Sequence, residues 1–294
     1  MRRYVLTLVL SFLLVSVFVA VQKTLIANAW SGTVYIRGDG SIDPPTAPME
    51  RNGSVYTLTG NVTSDADGIV VERNSIVFDG SGYTVEGAGT GYGVYLDGRN
   101  NVTIRNTDIS NFDNSILLFS SSDNSIIGNN MTNSGYGIVL DSSSNNTIDG
   151  NNMKSNNYGI GIGYSSDHNG IGGNTVANNG EAIWLYESSD NTICRNNFIN
   201  NTVQVDSETP DYANSWDKSH EGNYWSNYNG TDVNHDAIGD APYIVDANNT
   251  DHYPLMNIVP EFPSFLVPSL FMIATLLATL VYRKSHGHLH CHSL

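Results

Sequence analysis

Aliphatic residues recur at a fixed interval through the middle of the chain. Val94, Ile116, Ile138, Ile160 and Ile183 form one column, each 22 or 23 residues from the next. A second column, Leu96, Leu118, Leu140, Ile162 and Leu185, follows two residues later. An offset of two is strand periodicity and places both columns on one face. Asparagine repeats with the same period at Asn101, Asn124, Asn146, Asn169 and Asn191, and again five residues on at Asn106, Asn129, Asn151, Asn174 and Asn196. Gly137-Ile138, Gly159-Ile160 and runs such as Ser142-Ser143-Ser144 supply the turns between short strands. This period, with no helical pattern, predicts one coil of a parallel β-solenoid. Its coils stack about 4.8 Å apart, so equivalent residues lie above one another. Aliphatic columns then fill the interior, and the asparagines Asn106, Asn129, Asn151, Asn174 and Asn196 form a ladder at a tight turn. A leucine-rich repeat has a similar period but needs a leucine scaffold and a helical side, which this sequence lacks.

The pattern divides the chain. Regular repeats span 68–205, giving about six coils, and the irregular strands of 30–67 are placed to cap one end. The aromatic-rich segment 206–259 is placed to cap the other, because an open solenoid end exposes unpaired strand edges. Residues 1–29 carry Arg2-Arg3, an apolar run from Val5 to Val21 and a small-x-small site at Ala27-Asn28-Ala29. That layout predicts a signal peptide, with an uncleaved signal anchor as the alternative. After a short linker, 260–263, the run Ser264 to Tyr282 is apolar apart from Ser and Thr, and Arg283-Lys284 follows it. Nineteen residues reach about 28 Å as a helix, enough to cross a bilayer core. The basic pair predicts a cytoplasmic tail, 283–294, and an outward-facing middle anchored in the plasma membrane.

Charge narrows the functional classes. The net formal charge is −16, from 13 Lys+Arg and 29 Asp+Glu, and five of those 13 basic residues flank the two apolar ends. Such an acidic middle does not neutralise phosphates, which excludes nucleic-acid binding. Eight Asn-x-Ser/Thr triplets begin at Asn52, Asn61, Asn101, Asn130, Asn145, Asn200, Asn229 and Asn248, as suits a glycosylated exported surface.

The motif Asn146-Thr147-Ile148-Asp149-Gly150-Asn151-Asn152, preceded by Gly137-Ile138-Val139-Leu140, resembles the NosD-like family of right-handed parallel β-helix proteins. The segments Gly222-Asn223-Tyr224-Trp225-Ser226-Asn227-Tyr228, Ile238-Gly239-Asp240-Ala241-Pro242-Tyr243 and His252-Tyr253-Pro254-Leu255-Met256 are similar to that family's C-terminal cap. The resemblance covers about Gly68 to Met256. It implies an exported right-handed β-helix of a family described as periplasmic copper-binding, with carbohydrate-binding and sugar-hydrolysis repeats. Pro260-Glu261-Phe262 before the apolar run resembles an archaeal surface-sorting signal, although the tail runs ten residues past Lys284.

Several residues are candidates for chemistry. Asn106-Thr107-Asp108 resembles a polygalacturonase fragment, so Asp108 is the candidate carboxylate for glycan cleavage, with Arg99 and Arg105 as basic partners for a lyase. Asp232, Asn234, Asp236 and Asp240 space oxygen ligands at positions 1, 3, 5 and 9 of a calcium loop, with Ala237 in place of glycine at 6 and Tyr243 in place of Glu at 12. Copper would find His286, His288, His290 and His292 in the tail, or His220, His235 and His252 in the cap. Met131 and Met153 fall in a core column instead. Trp216 and Trp225 either stack on sugar rings or close the end of the core, and the second reading is preferred.

Two functions compete. One is a non-catalytic, membrane-anchored surface or accessory protein with a metal-linked role, whose partner is a surface glycan or a surface-layer protein. The other is a polysaccharide-binding or polysaccharide-cleaving β-helix. Carboxylates beside an arginine on one face favour cleavage, and a plain Asn/Ser/Thr face favours the scaffold. A calcium-dependent adhesion module is a third reading, which needs metal at the Asp232 to Asp240 loop.

Overall fold

A computed structural model describes residues 30–260. The chain winds into an all-β, right-handed parallel solenoid of seven turns, with no helix among the described residues. Each turn contributes one strand to each of three sheets. Sheet I holds the longest strands, including Tyr92–Asp97, Asn114–Phe119, Tyr136–Asp141, Tyr158–Gly163, Glu181–Tyr186 and Val203–Ser207. Sheet II follows in each turn, as in Val102–Arg105, Ser125–Ile127 and Thr147–Asp149. Sheet III completes the turn, as in Asp108–Ser110, Asn130–Thr132 and Asn152–Lys154.

The inner columns stack as their spacing demands. Val94, Ile116, Ile138, Ile160 and Ile183 pair in register through four successive parallel ladders, and all five are fully buried. Sheet II contributes Ile104, Ile126, Ile148, Ile171 and Ile193 to the same core. Sheet III contributes Ile109, Met131, Met153, Val176, Phe198 and Trp225. Burying each such side chain is worth about 1.5–3 kcal/mol.

There is one more turn than the sequence predicts. Val34–Ile36, Val55–Leu58 and Val62–Ser64 pair in parallel with the next coil and so form the first one. Its period is hidden because residues 37–54 interrupt it. Ile42–Asp43 folds back antiparallel on Val34–Ile36, and Met49–Asn52 folds back on Val55–Leu58, covering two of the raw edges.

Three asparagine columns satisfy the polar backbone inside the turns, the shortest running from Asn156 through Asn179 to Asn201. Asn146 Oδ1 accepts the backbone N–H of Asn124 at 2.9 Å and its side-chain Nδ2–H at 3.1 Å. Asn146 Nδ2 in turn donates to Asn169 Oδ1 and to the Ser121 carbonyl. The same pattern links Asn129, Asn151, Asn174, Asn196 and Asn223.

The two longer columns do not begin at Asn106 and Asn101. Their first members are Thr107 and Val102, whose N–H groups donate to Asn129 and Asn124. Asn106 and Asn101 sit one residue earlier, at φ of 53°, and Asn106 points its amide at Asp79. In the next coils that left-handed position belongs to Gly128, Gly150 and Gly173. Asparagine suits both the left-handed corner and the ladder rung, so residue type alone does not separate the two.

The two longer ladders end on one cap strand, Thr250–Asp251, and its neighbour Asn249. Asn249 Oδ1 accepts the Asn214 N–H and the Trp216 indole N–H, at 2.8 and 3.0 Å. Asp251 Oδ2 accepts the Asn223 N–H and the Trp225 indole N–H, both at 2.8 Å. Burial raises the Asp251 pKa despite these donors. Trp216 and Trp225 are 0% and 1% exposed and pack against each other, Phe198 and Tyr243. They close the core, so the sugar-stacking role is corrected: neither ring can meet a ligand.

Replacing a rung leaves buried groups without partners. Asn174→Ala orphans the Asn151 N–H and the Ile148 carbonyl, and we expect a loss of about 3 kcal/mol. Asn157→Ala, at an exposed neighbouring turn, costs about 0.5 kcal/mol or less. Urea unfolding midpoints of the two variants check the contrast.

Candidate functional site

The residues singled out for glycan cleavage are not brought together. Asp108 lies on sheet III and accepts a bond from Asn130 Nδ2. Arg105 ends a sheet II strand, paired to Asp79 at 2.9 Å. Arg99 sits in the turn from sheet I to sheet II and donates to the carbonyls of Asp97 and Glu72. Neither arginine makes an ion pair or hydrogen bond to Asp108.

The cap loop from Asp232 to Asp240 is closed by its own side chains. Asp232 accepts from the Asp236 and Ala237 N–H groups, Asp236 from Ile238, and Asp240 from Val233. Ala237 adopts φ of 68°, a backbone glycine would hold with less strain. The cap histidines do not converge: His220 and His252 pack near Tyr253, and His252 Nδ1 bonds Asp217 Oδ2 at 2.8 Å. An open cleft of about 690 Å³ lies beside that pair, lined by Asp190, Ser215, Asn248 and Thr250 among others. Among the described residues no three His, Cys, Asp or Glu side chains are placed to hold a metal. Met131 and Met153 are fully buried in the core, where they act as packing residues. His286, His288, His290 and His292, with the apolar segments at both ends, lie outside the described residues.

A different cluster occupies the outer face of sheet I. Two columns border this face. The first reads Tyr92, Asn114, Tyr136, Tyr158, Glu181 and Val203; the second reads Tyr95, Leu117, Val139, Gly161, Trp184 and Asp206. The second alternates with the buried Val94 and Leu96 files. The first lies just ahead of a buried small residue (Gly93, Ser115, Gly137, Gly159, Ala182) that breaks the alternation. The strand Tyr158–Gly163 has no outward side chain at Gly161 or Gly163, and neighbouring rings cover it. A methyl group at Gly161 would lie 3.2 Å from the Tyr136 ring, and one at Gly163 would lie 2.9 Å from the Trp184 ring. Trp184 and Tyr186 stack nearly parallel with centroids 5.8 Å apart, and Tyr164, 51% exposed, meets Tyr186 edge-on at 5.2 Å. Tyr136 and Tyr158 stack at 4.3 Å. The result is a band of half-buried rings running across successive coils.

Carboxylates border the band. Glu208 Oε1 accepts the Trp184 indole N–H at 2.8 Å and fixes that ring. Glu181 Oε2 is buried without a hydrogen-bond partner. Burial raises the Glu181 pKa, and the charges of Asp206 and Glu208 raise it further. Burial, followed by Tyr158 and Glu181, pushes the Tyr136 hydroxyl up to about 12, so it remains a donor at neutral pH. Flat apolar ring faces beside hydroxyl and carboxylate groups suit a ligand with both C–H faces and hydroxyls. No single stretch of sequence shows this site. Its signal was the outward column Tyr136, Tyr158, Glu181, which keeps the 22–23 spacing of the core columns.

Because the folded pKa of Glu181 is raised, the folded chain keeps that proton where the unfolded chain has lost it. Its contribution to stability therefore falls as pH rises from the ordinary carboxylate value through the raised one. A carbon-detected titration should place Glu181 above about 4.3, and Glu181→Gln should flatten that part of the stability profile. A midpoint at or below the ordinary value contradicts the burial argument.

Among curated proteins, none matches this chain. Among solved structures it is similar to the catalytic domain of a GH87 alpha-1,3-glucanase in complex with nigerose, at 16% identity and a TM-score of 0.41. That match covers 67% of this chain, which spans only 39% of the glucanase domain. It is also similar to the periplasmic alginate epimerase AlgG, at 13% identity and a TM-score of 0.22, over 53% of this chain and 61% of the epimerase. The family model described as periplasmic copper-binding protein (NosD) matches residues 27–230. Over that span lie the coils, the amide ladders and the ring band, and the chain belongs to the NosD family.

Proposed function

We propose that this protein is an exported NosD-family solenoid that binds a polysaccharide chain along the outer face of sheet I without cleaving it. The ring band of Tyr136, Tyr158, Tyr164, Trp184 and Tyr186 carries the reading. A soluble protein gains nothing from holding rings over two bare glycines in solvent unless something packs on them, and pyranose rings present the matching apolar faces. Carboxylates at the border accept bonds from sugar hydroxyls, which favours neutral or amino-bearing glycans over acidic ones on a face this negative.

Export is supported by the family description and by the signal-like segment 1–29. Attachment to the plasma membrane by residues 264–282, and sorting of an archaeal surface type through Pro260-Glu261-Phe262, extend the proposal from sequence alone. The ring band requires no metal. Calcium at Asp232, Asn234, Asp236 and Asp240 would stabilise the cap, and the histidine tail is the remaining copper candidate.

A second reading has one observation behind it. Glu181, with its raised pKa and unpartnered Oε2 beside Asp206, resembles the acid partner of a glycosidase carboxylate pair.

Titration of the purified protein with neutral and acidic polysaccharides, with products monitored, separates the readings. We expect binding without product release. Trp184→Ala should weaken binding about tenfold, or about 1.4 kcal/mol, in protein whose circular dichroism shows the solenoid still folded at the assay temperature. Unaltered binding by Trp184→Ala contradicts the assignment of the face. Product release that Glu181→Gln abolishes establishes the enzyme instead.

A further inference from the structure

Asparagines in this protein follow two burial patterns. Among the described residues fourteen are buried, most of them ladder rungs. None of the fourteen begins an Asn-x-Ser/Thr triplet. All eight triplets begin instead at exposed asparagines: Asn52, Asn61, Asn101, Asn130, Asn145, Asn200, Asn229 and Asn248. In three cases the acceptor directly adjoins a buried rung, as Asn130 adjoins Asn129, Asn145 adjoins Asn146 and Asn248 adjoins Asn249. A shift of one residue would put an acceptor inside the coil, where an attached sugar would break the ladder.

The acceptors are also distributed unevenly around the solenoid. Asn101 and Asn145 lie in turns from sheet I to sheet II, Asn61 in a turn from II to III, and Asn200 in a turn from III to I. Asn130 faces outward from sheet III, Asn52 lies at the antiparallel N-terminal hairpin, and Asn229 and Asn248 lie in the cap. No strand of sheet I carries one.

We infer that the chain is N-glycosylated at these exposed asparagines, and that its sugars clothe the turns, sheet III and the cap while leaving the outer face of sheet I bare. The donor is an oligosaccharide held through its anomeric carbon on a lipid phosphate. The side-chain amide nitrogen attacks that carbon and loses one proton. The new N–C bond forms as the sugar–oxygen bond breaks, and the lipid phosphate departs with the electron pair. The asparagine-rich core thus coexists with a glycosylated surface because the triplets are kept out of the rungs. The modification does not depend on the proposed polysaccharide ligand.

The full chain should be produced in a host with an N-oligosaccharyltransferase and in one without, then compared by intact mass and glycopeptide mapping. We expect several of the eight asparagines to be occupied. Thr147→Val should remove the sugar at Asn145 alone, with the melting temperature unchanged. A folded chain with no attached sugar, from a host that modifies a control glycoprotein, overturns the inference. Acrylamide quenching of tryptophan fluorescence tests the bare face separately, since Trp184 lies on sheet I. Equal quenching in the two forms supports the distribution, and quenching at least twofold weaker in the glycosylated form overturns it. Neither readout needs polysaccharide binding, so the inference can fail while the proposed function stands, and the reverse.

Discussion

A buried amide that bonds the identical amide one coil above is the interaction on which this structure depends. A coil of 22 or 23 residues must turn three corners, and at each corner one inward-pointing residue has an N–H that no backbone carbonyl of the next coil accepts. A left-handed residue makes the bend, and the next residue points inward. Asparagine in that inward position supplies one acceptor and two donors, enough to satisfy its own corner and the corner below. Since each amide bonds the equivalent rung and a carbonyl of the coil below, it fixes the register of whole coils as well as their spacing. The aliphatic files supply most of the burial, but Ile, Val and Leu pack nearly as well with a one-residue slip at a corner, and an amide rung does not.

The same constraint shapes the cap. A column of amides needs an ending, and the last rungs meet Asn249 and Asp251 from one short strand. Those two side chains also take the indole N–H groups of Trp216 and Trp225, so the rings that seal the apolar core are tied to the polar columns beside it. With the interior determined this way, outward positions are free to vary. Sheet I has the longest strands and therefore the widest outer face, and there two glycines clear space for rings. The chemistry of the protein resides where the repeat imposes nothing.

That division explains what the sequence revealed. The file Val94, Ile116, Ile138, Ile160 and Ile183 was legible because each member repeats one physical requirement. The first coil was legible only as irregular strands, because residues 37–54 break the period before it is established. Asn106 has the spacing of a rung but is a left-handed corner, because corners and rungs select the same side chain and only the bonding of Thr107 tells them apart. Trp216 and Trp225 admitted two readings until their indole bonds to the ladder ends were known. The ring band left little trace, because Trp184 lies in a different column from Tyr136 and Tyr158 and reaches them only across Gly161 and Gly163. A binding face made from unlike residues on adjacent coils has no local motif, whereas a core made from like residues is one.

Hydrogen exchange at the backbone amides of Asn129, Asn151, Asn174 and Asn196 tests the stacking directly, since each donates to the side chain of the rung above. If these bonds hold the coils together, the four amides exchange only on global unfolding, as slowly as the sheet interior and with one common free energy. Rapid exchange at these corners, while the strands between them stay protected, would show that the aliphatic core stacks the coils without the ladder and would contradict the account.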